Sequence, residues 1–347
     1  QQRLNYWSGT NGVGTATFNG SVTGSLLGDF LVGRPFTFAQ GTNYGFYNRQ
    51  FYNSLYAQDS WKVTPRLTLN SGLRWEPYLS PYNNRGEFSH WDASLFAQNV
   101  HSKVFTNAPA GLVFPGDPQY TAGKYLNGPK WDKFFPRFGL AWDPEGKGRL
   151  TIRAAYGMYG DRAMMLNGTQ MYFAPPFGNI VSVSGANLTD PWAGAGGNPM
   201  ITLSALQGIG VYSHDIPFPL NGGYVTTNMK DFHPVYMNQW NFSVQRQIGQ
   251  DWLLAANYLG NSTIHMITME NINPAVFLGT GACTLQTATG PVSYPVCSTT
   301  ANQQNRRVLS LQNPAEGKYY SGIQLMDDGG TGSYEGLNLS VQKRMGH

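Results

Sequence analysis

Charge is scarce in this chain. Only 12% of its 347 residues are Asp, Glu, Lys or Arg, about half the usual share of a soluble protein, so a conventional charged exterior is hard to build. The 23 Lys and Arg are scattered and the net charge is +4; with no polybasic run, neither nucleic acid nor an anionic surface is an expected partner. Long apolar runs are missing too. The best candidate, "SLLGDFLVG" at 25 to 33, is short and contains Asp29, far from the roughly 18 apolar residues of a membrane helix. That leaves open the other spanning structure, a closed β-barrel, whose strands give only weak hydropathy signals.

Catalytic and cofactor signatures are also wanting. The histidines at 90, 101, 214, 233, 265 and 347 show no HxxxH or HExxH spacing, so a metal site would need ligands brought together by the fold. The glycine-rich "GTNGVG" and "GAGGNP" lack the following Lys and Ser/Thr of a phosphate cradle, and no GxSxG elbow occurs. No enzyme activity, cofactor or metal is expected. The opening "QQRLNYWSGTNG" has no apolar h-region, which reads as a mature end or an internal cut. There are two cysteines, Cys283 and Cys297. Paired, they would close a loop of about 15 residues, contribute roughly 3 kcal/mol by restricting the unfolded chain and suit an oxidising compartment; unpaired, they would be thiols of a cytosolic protein.

What is plentiful is Gly (42 residues), aromatics (14%) and polar amides and hydroxyls, arranged with a period of two. In "VTPRLTLNSGLRWE", Leu67, Leu69, Leu73 and Trp75 alternate with Arg66, Thr68, Asn70, Arg74 and Glu76, so the two sets lie on opposite faces of a strand. "FFPRFGLAWDP" sets Phe134, Phe138, Leu140 and Trp142 against Arg137 and Ala141, and "RLTIRAAYGMYGDR" sets Leu150, Ile152 and Tyr156 against Arg149, Thr151 and Arg153. "QWNFSVQRQIG" and "YEGLNLSVQKR" repeat the pattern. Apolar residues belong against lipid or a core, and the polar set around a lumen or in water.

Short, turn-rich connections ("VTPR", "DPEGKG", "IGQD") alternate with long ones at about 79–133, 163–235 and 262–332. Long structureless loops are uncommon in compact soluble domains. Three in alternation with tight turns predict an antiparallel up-and-down transmembrane β-barrel with short periplasmic turns and long extracellular loops. Trp61, Trp142 and Trp252 flank the three short turns, where an interfacial aromatic girdle would sit. Upstream, "GTATFNGSV" reads as one strand and "SLLGDFLVG" as a short helix. The last strand has no returning partner, and an unpaired edge cannot be left in hydrocarbon, so residues 1–347 read as an incomplete barrel.

The runs "LYAQDSWKVTPRLTLNSGLRWEP", "FPRFGLAWDPEGKGRLTIRAAYGMYGDR", "NQWNFSVQRQIGQDWLLAANYLGN" and "SYEGLNLSVQKRM" resemble the barrel of TonB-dependent outer-membrane receptors, specifically the Oar-like group. "FNGSVTGSLLGDFLVG" resembles that group's segment upstream of the first hairpin. The resemblance covers somewhat more than a third of the chain. It implies a barrel of about 22 strands in the bacterial outer membrane, surrounded by lipid, filled by a plug domain, and powered by the TonB complex through a TonB box on that plug. No plug-like region precedes the barrel motifs here, so coupling to TonB would run through a segment absent from this chain.

Two functions fit these expectations: import of a large solute, such as an oligosaccharide or peptide, or a non-transporting structural or adhesive role at the surface. Arg66, Arg74, Glu76, Arg137, Arg149 and Arg153 are expected on the lumen face, either bonding a plug or solute or pairing with one another as a cross-strand ladder. Tyr172, Phe173, Trp192, Tyr212 and Phe218 in the long loops are candidates for stacking on a ligand, or else loop-core residues.

Overall fold

The computed structural model describes residues 2–8, 12–41, 44–161, 165, 171, 174–178, 180–193, 197–198 and 213–344. Its backbone is a seven-strand antiparallel wall in simple sequence order: β1 (Leu55–Thr64), β2 (Leu67–Trp75), β3 (Phe134–Trp142), β4 (Leu150–Gly160), β5 (Tyr236–Ile248), β6 (Trp252–Asn271) and β7 (Tyr320–Lys343). Every alternating segment of the sequence is in this wall. At one end the strands are joined by tight turns. Pro65, with its fixed φ, and Arg66 close the β1–β2 hairpin. In the β3–β4 turn the Asp143 carboxylate accepts from the amides of Gly146 and Gly148, both at 2.8 Å. Both glycines are left-handed, with φ of 68° and 69°, a conformation that side chains disfavour. A β-carbon at Gly146 would also lie 2.4 Å from Arg66 Nε, so its absence lets Arg66 lie across the neighbouring turn.

The opposite end corrects the expectation of three structureless loops. β6 has 20 residues and β7 has 24, about twice the ~9–11 needed to cross a bilayer, so this hairpin rises well beyond the other strands. The last connection therefore runs from 272 to 319 rather than from 262 to 332. Along the upper part of β7, Gly222–Thr227 pairs in parallel, followed by Ile180–Ser184, Thr37–Gly41 and Thr15–Thr17, giving an 11-stranded sheet. Of the upstream readings, "GTATFNGSV" contributes only the short strand Thr15–Thr17, while "SLLGDFLVG" does form a helix, Leu26–Leu31, capped by Ser25.

The three excursions fold together into a cap with its own core. Phe96, Phe105 and Phe114 from the first, Phe177, Phe218 and Tyr224 from the second, and Leu309 with Tyr320 and Ile323 near the third form one buried cluster. Phe105 and Phe114 meet edge to face at 4.8 Å, the arrangement favoured by the aromatic quadrupole. A second cluster joins Phe88, Val113, Tyr120 and Leu126 to Met326 of β7. Cys283 and Cys297 form a disulfide, Cα to Cα 5.2 Å, bracing the small hairpin Cys283–Thr287 and Gly290–Tyr294 at the cap's side.

The sheet is open rather than closed among the described residues. β1 pairs only with β2, and the turn-proximal half of β7 pairs only with β6. The two clusters of the cap share residues with the upper ends of β6 and β7 but with none of β2–β5, so cap and lower wall should respond separately to core truncation. Phe114→Ala is expected to destabilise the cap by about 3–5 kcal/mol, seen as faster hydrogen exchange in residues 88–126, with exchange in the β2–β5 amides unchanged.

Candidate functional site

The wall's register converts alternation along each strand into continuous rows across it. One row runs Trp61, Leu69, Leu140, Ala154, Phe242, Tyr258, Leu337. One residue along, on the opposite face, runs Lys62, Thr68, Ala141, Arg153, Ser243, Asn257, Asn338. A further row on that second face runs Gln58, Gly72, Arg137, Gly157, Gln239, Asn261, Tyr334. The apolar face is not covered by protein: Phe138 is 57% exposed, and Leu337, Leu339 and Val341 are 66%, 70% and 64% exposed. On soluble proteins, apolar patches of this extent mark a contact surface. Two carboxylates, Asp59 and Glu335, fall on this face, each on a strand with an open edge.

A comparison with protein families matches the outer membrane beta barrel domain over residues 1–347. The chain belongs to that family. It is accordingly a component of the bacterial outer membrane, mostly strand, and no helix among the described residues is long and apolar enough to cross a membrane. No curated protein matches the chain. The crystal structure of the siderophore receptor PirA from Pseudomonas aeruginosa aligns with 87% of this chain at 12% identity and a TM-score of 0.32, and the chain spans 35% of that receptor's length.

The residues singled out in the sequence occupy distinct places. Trp61, Trp142 and Trp252 all lie on the apolar face near the turns, but not in one row. Trp142 is opposite Leu67, two residues closer to the turns than the row of Trp61, and Trp252 is opposite Ile248, four residues closer again. The drift is about one residue per strand, which in strand geometry corresponds to a belt slanted roughly 35–40° to the hydrogen-bond direction. That is the tilt of strands in a membrane barrel.

Arg137 and Arg153 lie on the polar face, where their register neighbours are Gly and Ala or small polar residues. Arg137 sits over the ring of Tyr159 at 4.4 Å, a cation–π contact, with Gly72 and Gly157 opposite it in the register. Neither arginine has a salt bridge among the described residues. Arg74 and Glu76 do pair, and Tyr52 joins them, donating to Glu76 and lying 3.0 Å from an Arg74 nitrogen. Arg74 and Glu76 stand two residues apart along one chain segment, so among the described residues Arg66, Arg74, Glu76, Arg137, Arg149 and Arg153 form no cross-strand ladder. Arg66 and Arg149 are exposed at the turn end.

Trp192 and Phe218 are buried in the cap, Trp192 edge-on to Phe38 and Phe218 in the aromatic cluster. Of the two readings open for these residues, the loop-core one applies and the exposed stacking one does not: the excursions fold on one another and consume these aromatics. Tyr172, Phe173 and Tyr212 lie outside the described residues.

Sequence spacing missed one constellation. His233 ahead of β5, His265 in β6 and Asp328 in β7 converge, with one candidate ligand atom of each within 4.8 Å of the others. Nothing short of strand register could have revealed it.

The cap also holds two buried titratable groups. Burial pushes the Glu87 carboxyl up to about 7, against the opposing pull of Arg85, 3.8 Å away. Burial holds His90 down to about 4, although both ring nitrogens face carbonyls, Thr227 at 3.1 Å and Leu126 at 2.8 Å. For Glu87 the folded value exceeds the ordinary one, so its contribution favours folding below about 4.5 and is lost as pH rises through about 7. For His90 the folded value is depressed, so its contribution favours folding above about 6.5 and is lost as pH falls toward 4. Glu87→Gln should therefore stabilise the cap at pH 8 by on the order of 3 kcal/mol, with the gain vanishing near pH 4.5. Denaturant melts monitored by near-UV circular dichroism at the two pH values would show it.

Proposed function

We propose that this chain is barrel wall and outer cap of a TonB-dependent outer-membrane receptor, of the Oar-like kind, that admits a large solute such as an oligosaccharide or peptide. The observation that carries the reading is the row-by-row separation of the wall into an exposed apolar face and a polar face bearing Arg137 and Arg153. In this reading the apolar rows, from Trp61 to Leu337, meet lipid, and the slanted tryptophans mark the periplasmic interface. The polar rows border the lumen, where arginines without carboxylate partners remain available to a plug or a passing anionic group.

The open edges of β1 and β7 would be paired by further strands, because main-chain N–H and C=O groups in hydrocarbon have no water to bond. The full barrel would then approach 22 strands, with a plug inside and the TonB complex acting through it. The cap, with its aromatic core and disulfide, is a rigid outer surface suited to recognising cargo. A purely adhesive surface protein would share the wall and the cap, and differs in needing no energy coupling.

Two measurements bear on this. Leu69→Arg should cost membrane insertion roughly 2–4 kcal/mol near the midplane, while Thr68→Arg on the other face should be mild; equal tolerance in a liposome-folding assay would refute the assignment of faces. Cells carrying the full-length protein should accumulate labelled oligosaccharides or peptides only when TonB is present. Binding to the cell surface that is unchanged by loss of TonB would favour adhesion instead.

A further inference from the structure

Where the long β6–β7 hairpin rises past the rest of the wall, three segments meet over one carboxylate. Asp328 of β7 is almost wholly buried. One of its oxygens, Oδ2, accepts from the main-chain amide of His233 at 2.6 Å and lies 3.0 Å from Nδ1 of the same residue. His265 Nδ1 is 3.6 Å from that oxygen and 3.2 Å from the Asp328 carbonyl. The two imidazoles stack at 4.9 Å with 21° between their planes, and Tyr236 closes one side at 5.7 Å from the His265 ring.

The backbone is bent to make this arrangement. His265 has φ of 64°, unusual for a residue with a side chain and most unusual within a strand. It falls where the β6–β7 register shifts between Ile264 and Met266. Bulges of this kind re-aim a side chain out of the regular alternation, and strained conformations persist where the surroundings enforce them and cluster at functional sites. Without the bulge, His265 would continue the strict alternation of β6.

We propose that His233, His265 and Asp328 form a binding site for a divalent transition-metal ion such as zinc. Two neutral imidazoles and one carboxylate are the donor set that borderline divalent metals prefer, whereas calcium and magnesium favour all-oxygen shells. Ligands at about 2.0–2.2 Å from a tetrahedral ion stand roughly 3.3–3.5 Å apart, and the two nitrogen–oxygen separations here bracket that spacing. The fourth position is left to water or to a donor atom on a bound molecule. Because His233 belongs to the cap connection and the other two ligands to the wall, the ion would fasten the cap to the hairpin that carries it. The site stands on this geometry whether or not the protein transports.

The test uses the full-length protein in detergent, stripped with a chelator, and two probes: Co2+, read by its visible absorption, and Zn2+ in competition. The expected result is one Co2+ per chain with the intense bands of a tetrahedral nitrogen and oxygen site, displaced by Zn2+. His265→Gly keeps the left-handed backbone accessible while removing the imidazole, and Asp328→Asn keeps the shape while removing the charge; each should weaken binding at least ten-fold. His101→Gln, at a histidine elsewhere in the cap, should bind as the parent does. Zn2+ should also slow exchange of the amides around His233 in the parent and not in His265→Gly. Absence of stoichiometric binding, or affinity in both ligand variants equal to the parent's, would overturn the proposal.

Discussion

A strand in hydrocarbon has no solvent for its amides, so its neighbours must satisfy every one of them in register. That constraint orders the rest of this structure. Once β1 to β7 are locked side by side, the side-chain period of two becomes a property of the whole wall, and one residue of slip would turn Leu69, Leu140, Phe242 and Leu337 to the wrong face together. The rows hold across six strand interfaces: tight turns at Pro65, at Asp143 with Gly146 and Gly148, and at Gly249 fix three of the registers at one end, and main-chain pairing alone holds the three between strands joined through the excursions.

The same constraint explains the cap. Six of the strand ends lead into excursions that leave the bilayer, and outside it the ordinary hydrophobic effect resumes. The excursions bury Phe105, Phe114, Phe177 and Phe218 against one another rather than hang as separate loops. β6 and β7, continuing upward from the wall, give this assembly its foundation, and the parallel pairing of Gly222–Thr227 on β7 extends the sheet sideways into the cap. One protein thus contains two solvation regimes, greasy outside in the wall and greasy inside in the cap.

Charge follows the division. The wall's polar face keeps Arg137 beside glycines and over Tyr159, free of carboxylates among the described residues, and the rim binds its charge in the Arg74, Glu76 and Tyr52 cluster. The cap, with a conventional interior, can hold buried titratable groups such as Glu87 and His90, whose opposite responses to protons partly offset each other. The histidine and aspartate cluster lies on the boundary between the two regimes, where a bulge interrupts the alternation that the wall otherwise enforces.

Alternation, turn chemistry and the spacing of long and short connections, read from the sequence alone, were enough to mark β2, β3, β4, β5 and the lower part of β7, their faces and the short turns, because those features are local: a period of two needs no knowledge of the partner strand. β1 entered only within a run quoted for the family resemblance, and the pattern of β6 is mixed. The outer-membrane setting was legible for the same reason. What the sequence could not disclose is everything that depends on which distant segments meet. Trp192 and Phe218 read equally as rings free to stack on a ligand or as loop-core residues, and packing against Phe38 and the phenylalanine cluster decided for the core; β6 and β7 outran their alternation because pairing, not pattern, carries a strand past the bilayer. His233, His265 and Asp328 are separated by tens of residues, and only strand register and a left-handed histidine bring them to one point.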